Sequence, residues 1–222
     1  KFSFEKEFLE KLYKDFKFNA YLSSSYFLDI GIPSDYNQAQ EDFKKFSTYN
    51  ISNDWTLFLD RDGVINTHIK NGYVTSLRNF TFIEGSLEAI SILSSLFNRI
   101  VIVTNQQCVG KEIITSNELE QIHEHMIKEI ALNNGRIDQV YYAPQLKSEN
   151  SIYRKPNTGM ANQAAIDFPE INFHKSIIVG DSHSDMEFGL NKGMKTVFIN
   201  KSGNSKYSQN FNSLIDFANS LK

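Results

Sequence analysis

The sequence predicts an α/β fold built on a doubly wound parallel sheet in three layers, and two observations carry that prediction. Short apolar runs typical of buried strands alternate with longer helical patterns over residues 51–222, and such alternation is typical of a parallel sheet covered by helices on both faces. Several of the apolar runs end abruptly in polar side chains. Because ligands bind at the carboxyl ends of the strands in open α/β sheets, those side chains are the first candidates for function.

The composition is that of a water-soluble globular chain. The 222 residues are 41% hydrophobic and 22% charged, with a formal net charge of −3, which is too balanced for the positive field that nucleic-acid binding requires. A single cysteine, Cys108, excludes an internal disulfide framework and a cysteine zinc cluster. No apolar run reaches the ~20 residues of a membrane helix, and no signal-peptide pattern opens the chain. We therefore expect a cytoplasmic protein with a small-molecule substrate and neither nucleic acid nor membrane as partner.

Residues 1–50 are predicted to form a short, mostly helical appendage to the domain at 51–222. A brief strand begins at Tyr26 and breaks at a glycine and a proline, and Ser34 or Asp35 is predicted to cap a helix that continues through Phe46. This spacing alone indicates packing and no chemistry. The helix expected before it has an aromatic stripe at Phe4, Phe8, Leu9, Leu12 and Phe16.

From residue 51 onward five strands and five helices are predicted. The strands are short apolar runs and the helices are longer segments with apolar residues on one face. The strands are expected at 56–60, 99–103, 139–143, 176–180 and 195–199, and the helices at 84–97, 115–133, 158–168, 184–192 and about 211–221.

The strand at 56–60 ends in two carboxylates, Asp60 and Asp62, followed by Gly63. The first carboxylate is predicted at the strand tip, where it can attack a substrate or bind a metal, and the second can reach the other side of the same reacting group. One acid can then be a nucleophile and the other a proton carrier. A turn with a helix cap is the alternative for this motif taken alone.

Three further strand ends carry polar residues. Thr104 follows the second strand and offers a hydroxyl, Arg154 and Lys155 precede a helix whose free N–H groups favour an anion, and Asp181 with Asp185 forms another carboxylate pair. Carboxylates of this kind suit a hard, oxygen-liganded ion such as Mg²⁺. Each signal alone fits a loop or a helix cap equally well, but the ordered set predicts a phosphate and metal site.

These motifs resemble those of the haloacid dehalogenase superfamily of phosphotransferases over residues 55–200, and among its members the heptose bisphosphate and histidinol-phosphate phosphatases. The resemblance implies a capless Rossmannoid domain in which Asp60 attacks phosphorus and forms an aspartyl-phosphate, while Asp62 protonates the leaving hydroxyl and then activates water. It further implies that Thr104 and Lys155 hold the transferring phosphoryl group. The motifs are Asp60-Arg61-Asp62-Gly63, Gly72-Tyr73-Val74, Thr104-Asn105-Gln106 and Arg154-Lys155-Pro156.

The same resemblance implies a metal site and a set of substrate contacts. Mg²⁺ is expected on Asp60, on the backbone carbonyl of Asp62 and on Asp181, with Asp185 orienting these groups. The expected substrate-binding residues are Arg61, Asn66, Gly72, Tyr73, Asn105, Gln106, Arg154 and Ser182.

The chain also departs from the family it resembles. Many relatives carry a zinc loop of cysteines and histidine before the Arg-Lys-Pro motif, but residues 143–153 contain neither type, so zinc is not expected. Ser182 stands where the family often has Lys or Arg, and Lys111 is weighed as a replacement cation against a solvated lysine. His123 and His125, two apart on a helix, point in different directions and make a poor metal pair.

The segments between the motifs leave little room for a separate cap domain, so an open site is expected. Residues 66–80, called the flap below, are expected to select the substrate. Within the flap, His68 is weighed as a ligand against a surface histidine.

Residues 26–46 resemble the carboxyl-terminal end of sugar-1-phosphate nucleotidyltransferases, in which the aspartate that matches Asp29 helps to hold magnesium. Since the glycine-rich loop of that family is absent and the sequence begins at Lys1, we expect the tail of a longer bifunctional protein. Together the two resemblances imply removal of the C7 phosphate of D-glycero-D-manno-heptose 1,7-bisphosphate in nucleotide-heptose and surface polysaccharide synthesis. Histidinol-phosphate phosphatase, a broad small-molecule phosphatase and a docking subunit stay open.

Overall fold

The structure is a computed structural model that describes residues 10–12, 14, 31–46, 51–199 and 209–222. It divides the chain into two compact units, Lys1–Ser47 and Thr48–Lys222. Among the described residues, no helix combines the length and the apolar composition that crossing a bilayer requires.

The described part of the first unit contains a helical turn, α1 (Glu10–Leu12), and a longer helix, α2 (Pro33–Phe46). Because α2 begins at Pro33, Ser34 and Asp35 lie in its first turn, and the cap predicted at one of them is wrong. Proline suits the first helical position, where its missing N–H costs no hydrogen bond. The strand predicted from Tyr26 and most of the aromatic stripe lie outside the described residues.

The second unit is built on a sheet of six parallel strands in the order β3-β2-β1-β4-β5-β6. The five predicted strands are confirmed, whereas the two-residue edge strand β6 is too short to give a sequence pattern. The strands are β1 (Thr56–Leu59), β2 (Arg99–Asn105), β3 (Gln139–Ala143), β4 (Ser176–Gly180), β5 (Lys195–Ile199) and β6 (Asn210–Phe211).

Helices flank this sheet, and the five that the sequence predicts are confirmed to within a few residues. A further helix of four residues, α4, follows β2 directly and was not predicted. The helices are α3 (Ser86–Leu96), α4 (Gln107–Gly110), α5 (Ser116–Leu132), α6 (Gly159–Asp167), α7 (His183–Asn191) and α8 (Leu214–Asn219).

Alternating side chains of the central strands divide the core into two parts. Leu57 and Leu59 of β1 pack with residues of α3, α5 and α8, whereas Phe58 packs with residues of α6 and α7. This is the period of two that a strand imposes on its side chains. Both faces of β1 are therefore buried, as the predicted three-layer fold requires, and its carboxyl end is fixed between β2 and β4.

Candidate active site

The four predicted motifs meet at the carboxyl edge of the sheet. Asp60 follows β1, Thr104 lies near the end of β2, Lys155 lies between β3 and α6, and Asp181 follows β4. All four line one pocket of 540 Å³. The strand register explains the convergence, since Leu59, the last residue of β1, pairs with Ile102 on one side and Val179 on the other, so the residues that follow lie at the same edge of the sheet.

Lys155 is the cation at the bottom of this pocket, with 1% of its side chain exposed. Its Nζ lies 2.9 Å from Oδ1 of Asp60 and 2.5 Å from Oδ1 of Asp185, and it donates to the carbonyl oxygen of Val103 at 2.7 Å. Burial disfavours the ammonium ion, but the two carboxylates outweigh that effect and raise the pKa of Lys155. Lys155 is thus a fixed positive charge beside the predicted nucleophile.

Asp60 lies in an environment with more negative than positive charge. Burial and the neighbouring charge of Asp185 raise its pKa to about 8, against the opposing effect of Lys155. Burial, followed by the charge of Asp185, also raises the pKa of Asp181 to about 6. Three carboxylates around one ammonium ion leave a surplus of negative charge, which is relieved by protons or by a bound cation.

The three carboxylates form a cluster that fits a metal ion. Oxygen atoms of Asp60, Asp181 and Asp185 lie within 4.8 Å of one another. The oxygens of Asp185 are already engaged, one by Lys155 and the other by the backbone N–H of Ser182 at 3.0 Å. Asp60 and Asp181 are therefore the available ligands, and Asp185 orients Lys155. The carboxylates of the cluster offer hard oxygen atoms, the type of ligand that Mg²⁺ prefers.

Gly63 makes room for one of these ligands. A Cβ atom at this position would lie 1.9 Å from Oδ2 of Asp181, and the backbone there has a φ of +91°, which favours glycine. The glycine of the first motif is therefore required by the close approach of the acidic loop after β4.

Asp62 is held in a different way from Asp60, by hydrogen-bond donors on both of its oxygens. Oδ1 accepts from Nη2 of Arg61 at 2.9 Å and Nδ2 of Asn66 at 2.8 Å, and Oδ2 accepts from Nη2 of Arg61 at 2.9 Å and Nε2 of Gln106 at 2.8 Å. Burial opposes ionisation of Asp62, but the charge of Arg61 and these hydrogen bonds outweigh it and lower the pKa. In this structure Asp62 is an ionised acceptor.

Three residues predicted to bind substrate instead surround Asp62. Arg61 and Asn66 are fully buried, Gln106 is 1% exposed, and none of the three lines the pocket. Their side chains therefore do not face the pocket in this structure, and their direct contact with substrate stays a prediction. Since their donor groups point at Asp62, they fix its orientation.

Thr104 and Asn105 have distinct roles at the end of β2. Oγ1 of Thr104 accepts from Nε2 of Gln106 at 2.9 Å, which leaves its O–H to donate into the pocket. The amide of Asn105 bonds the backbone of Lys155 on both sides, through Nδ2 to its carbonyl oxygen at 3.2 Å and Oδ1 to its N–H at 3.0 Å. Asn105 therefore lines the pocket and also holds the lysine in position.

The flap and the neighbouring loops form the outer wall of the pocket. Tyr73 accepts a hydrogen bond at its hydroxyl from Nε2 of Gln107 at 2.9 Å, and Nζ of Lys111 lies 5.4 Å from the centre of its ring. His68 lies with Nδ1 3.9 Å from Oδ2 of Asp181. The predicted substrate-binding residues that line the pocket are Gly72, Tyr73, Asn105, Arg154 and Ser182.

The structure also shows a functional candidate that the sequence did not. His123, considered only as a poor metal ligand, is 6% exposed and lies with Nε2 3.0 Å from Nη1 of Arg61. Its contact crosses 62 positions of chain, so no local spacing could indicate it.

Known proteins similar to this chain include phosphatases. A Mycobacterium bovis D-glycero-alpha-D-manno-heptose-1,7-bisphosphate 7-phosphatase is 36% identical over 137 residues, which cover 62% of this chain and 72% of that protein. A Helicobacter pylori D-glycero-beta-D-manno-heptose-1,7-bisphosphate 7-phosphatase is 34% identical over 149 residues, which cover 65% of this chain and 82% of that protein.

A solved structure supports the fold. The D,D-heptose 1.7-bisphosphate phosphatase from B. bronchiseptica, complexed with magnesium and phosphate, is similar with a TM-score of 0.68 and 24% identity, covering 75% of this chain and 97% of that one. Residues 41–219 match the family described as polynucleotide kinase 3 phosphatase. With four motifs at one sheet edge and a family match over most of its length, this chain belongs to the polynucleotide kinase 3 phosphatase family.

Proposed function

We propose that this chain is a Mg²⁺-dependent phosphatase that removes the C7 phosphate of D-glycero-D-manno-heptose 1,7-bisphosphate through an aspartyl-phosphate. The observation that carries the proposal is the pairing of Asp60 with Lys155 in a pocket whose outer wall bears further cations. The choice of substrate rests on the similar proteins of M. bovis and H. pylori, which are named for this reaction.

In the first half of the reaction, a carboxylate oxygen of Asp60 bonds to phosphorus as the ester P–O bond breaks. The electron pair of that bond goes to the leaving oxygen, which takes a proton from Asp62. The pKa of Asp62 is low in this structure, but the negative phosphate brought beside it favours its protonated form by charge repulsion.

In the second half, water attacks phosphorus and the bond to Asp60 breaks, which releases inorganic phosphate. Asp62, now ionised, takes the proton from that water. The donors that surround Asp62 suit this step directly, since they hold the carboxylate as an acceptor. Lys155 and the hydroxyl of Thr104 are placed to balance charge on the phosphoryl oxygens in both halves.

Mg²⁺ would be held by Asp60 and Asp181 and by the backbone carbonyl of Asp62, and it would supply positive charge opposite the phosphate. Without a cation, Asp60 holds a proton at neutral pH, as its pKa of about 8 indicates, and Asp181, with a pKa of about 6, gains one as the pH falls below neutral. A protonated Asp60 is a poor nucleophile, so metal dependence follows from the charge balance of the cluster.

The outer part of the pocket suits a second anionic group. Arg154 and Lys111 both line it, and Tyr73 lies beside Lys111. The volume of 540 Å³ is in the range of sites for small molecules, about 300 to 1,000 Å³. A sugar with one phosphate at Asp60 and another near Arg154 uses both ends of the pocket, whereas histidinol phosphate brings a cation to the outer end.

The experiment that tests the proposal compares kcat/KM for heptose 1,7-bisphosphate and for histidinol phosphate with Mg²⁺ present. We expect a strong preference for the heptose and loss of activity in Asp60→Asn. Preference for histidinol phosphate would move the enzyme to the runner-up function with the same mechanism. Similar values for both and for simple alkyl phosphates would support a broad phosphatase, and no phosphate release from any of them would reject the catalytic proposal.

We further propose that the first unit, Lys1–Ser47, is related to the end of a sugar-1-phosphate nucleotidyltransferase, which would consume the heptose 1-phosphate produced. The support is the sequence of residues 26–46, in which α2 is found as expected. The test is nucleotide-sugar formation by the natural full-length protein, measured with heptose 1-phosphate and nucleoside triphosphates. If no nucleotide sugar forms, the proposed nucleotidyltransferase partner is rejected and the phosphatase proposal is unaffected.

A further inference from the structure

Arg61 lies between the two catalytic carboxylates and contacts both. Its backbone N–H donates to Oδ1 of Asp60 at 2.7 Å, and its Nη2 donates to both oxygens of Asp62 at 2.9 Å. The side chain is fully buried. A buried guanidinium ion is costly unless its N–H groups are paired with acceptors, so the atoms around it decide whether it stays in place.

The side of Arg61 that faces away from Asp62 is paired with His123. The distance from Nη1 to Nε2 is 3.0 Å. Because a guanidinium ion has only donors, Nε2 must be the acceptor, and His123 must be neutral with its proton on Nδ1. Burial and the charge of Arg61 lower the pKa of His123 to about 3, against a weaker opposing effect of Asp62, so the neutral form is the stable one at neutral pH.

His123 is itself held firmly. It lies on the buried face of α5 with Leu119 and Met126, and its ring centre is 5.7 Å from that of Tyr142. The helix begins at Thr115 with a capping box that involves Glu118. Helix α5 and strand β3 thus fix the imidazole, the imidazole fixes Arg61, and Arg61 fixes Asp62.

We propose that His123 is a positioning residue for catalysis, which acts through Arg61 to keep the carboxyl group of Asp62 aimed at the leaving oxygen and at the attacking water. It does not touch the substrate, since it does not line the pocket. The inference rests on the proposed function, because it needs Asp62 as the proton carrier, but it applies to any phosphate monoester that the enzyme cleaves.

The variant that tests the inference is His123→Leu, which puts an apolar side chain of similar size at this position and removes the nitrogen that accepts from Arg61. His123→Gln is the conservative variant, since its side-chain oxygen can accept from Arg61. The matched control is His125→Leu, the same change two residues along α5, where the ring packs 6.1 Å from Phe80 and not against Arg61.

The readout is single-turnover release of the leaving group from an alkyl phosphate and from p-nitrophenyl phosphate. An alkoxide needs the proton of Asp62 to leave, whereas nitrophenolate leaves without it. We expect His123→Leu to slow alkyl release by about 10- to 100-fold, at or below the lower end of the ~10²–10⁴-fold that acid catalysis contributes, with the half-saturating substrate concentration nearly unchanged. Release of nitrophenol should fall by less than about threefold. His123→Gln and His125→Leu should stay near the wild-type rate.

Equal losses on both substrates, no loss on either, or a His123→Gln variant as slow as His123→Leu would each overturn the inference and leave the phosphatase proposal standing. Wild-type protein without Mg²⁺-dependent turnover of heptose 1,7-bisphosphate, measured in parallel, would instead overturn the proposed function. Should His123→Leu fail to fold, ¹⁵N NMR of the wild-type imidazole at pH 7 decides. An unprotonated Nε2 is expected, and a protonated Nε2 rejects the role.

Discussion

Asp60 and Asp62 lie two residues apart, yet their surroundings shift the pKa values of the two carboxyl groups in opposite directions. Around Asp60 there are two more carboxylates and one ammonium ion, and the pKa of Asp60 is raised to about 8. Asp62 instead accepts hydrogen bonds from Arg61, Asn66 and Gln106, and its pKa is lowered. The charge around Asp60, the proposed nucleophile, would be balanced by a cation, whereas the carboxylate of Asp62, the proposed proton carrier, is already balanced by groups of the protein.

Removal of the nucleophile should have the largest effect. Asp60→Asn keeps the shape of the side chain and removes the attacking oxygen, so we expect phosphate release to fall on the order of 10⁴-fold or more. The same change removes surplus negative charge from the cluster, and folding should be retained. Steady-state kinetics and thermal unfolding measure the two effects. A fall in activity that merely followed a loss of folded protein would contradict the assigned role.

Asp181→Asn should weaken metal binding more than any change in the region of Asp62. The variant keeps one oxygen ligand but loses the charge, and we expect the Mg²⁺ concentration for half-maximal activity to rise by about 100-fold. Titration of activity with Mg²⁺ measures this. Asp54→Asn is the matched control, because this exposed aspartate pairs with Lys175 far along the chain. A normal Mg²⁺ requirement in Asp181→Asn would place the metal elsewhere.

Gln106→Met tests the region of Asp62, where several donors share one carboxylate. The change removes the hydrogen bonds to Asp62 and Thr104 with little change in volume. Because Arg61 and Asn66 still donate to Asp62, we expect a loss of only about tenfold in kcat, equal to about 1.4 kcal/mol. The Mg²⁺ requirement should not change. A changed requirement would show that the two regions are not separate.

Stability as a function of pH should show the smallest effect and the clearest sign. The carboxyl groups of Asp60 and Asp181 have pKa values of about 8 and about 6 in the folded protein, against 3.8 as the ordinary value. Between these limits the folded state binds more protons than the unfolded state, so the free energy of unfolding falls as pH rises.

In EDTA we expect Tm to fall by on the order of 10 °C from about pH 5 to about pH 8. Mg²⁺ should reduce this fall, because it replaces the protons that the carboxylates lose. Thermal unfolding in the two buffers measures the difference. A Tm in EDTA that rose with pH over this range would show that the cluster does not carry surplus negative charge.

Much of the fold was predictable from the sequence because buried strands leave a strong local signal. The run Thr56–Leu59 is wholly buried and has the pattern of an apolar strand, and the five longer strands were predicted from apolar runs of this kind. The edge strand Asn210–Phe211 has two partly buried residues, too few for any period. The start of α2 was misplaced because Ser34 and Asp35 are good caps wherever they occur, and Pro33 decided the boundary.

In the candidate site, the position of a residue was easier to predict than the direction of its side chain. Asp60, Lys155 and Asp181 meet because parallel strands bring their ends together. Arg61 was expected to reach substrate, but its side chain turns into the core, where His123 accepts one of its hydrogen bonds. A contact of that kind depends on the packing of α5 and has no counterpart in the local sequence.

Because β1 lies at the centre of the sheet, it and the flap should differ in how readily they unfold locally. β1 is paired on both sides and buried on both faces, so its amide hydrogens should exchange only on global unfolding. The flap at 66–80 has an exposed 3₁₀ turn at Leu77–Asn79 with no buried residue, and it should exchange through local openings. The proposed nucleophile is thus attached to the slowest-opening strand, while the exposed part of the flap can be changed by mutation without loosening the residues beneath it.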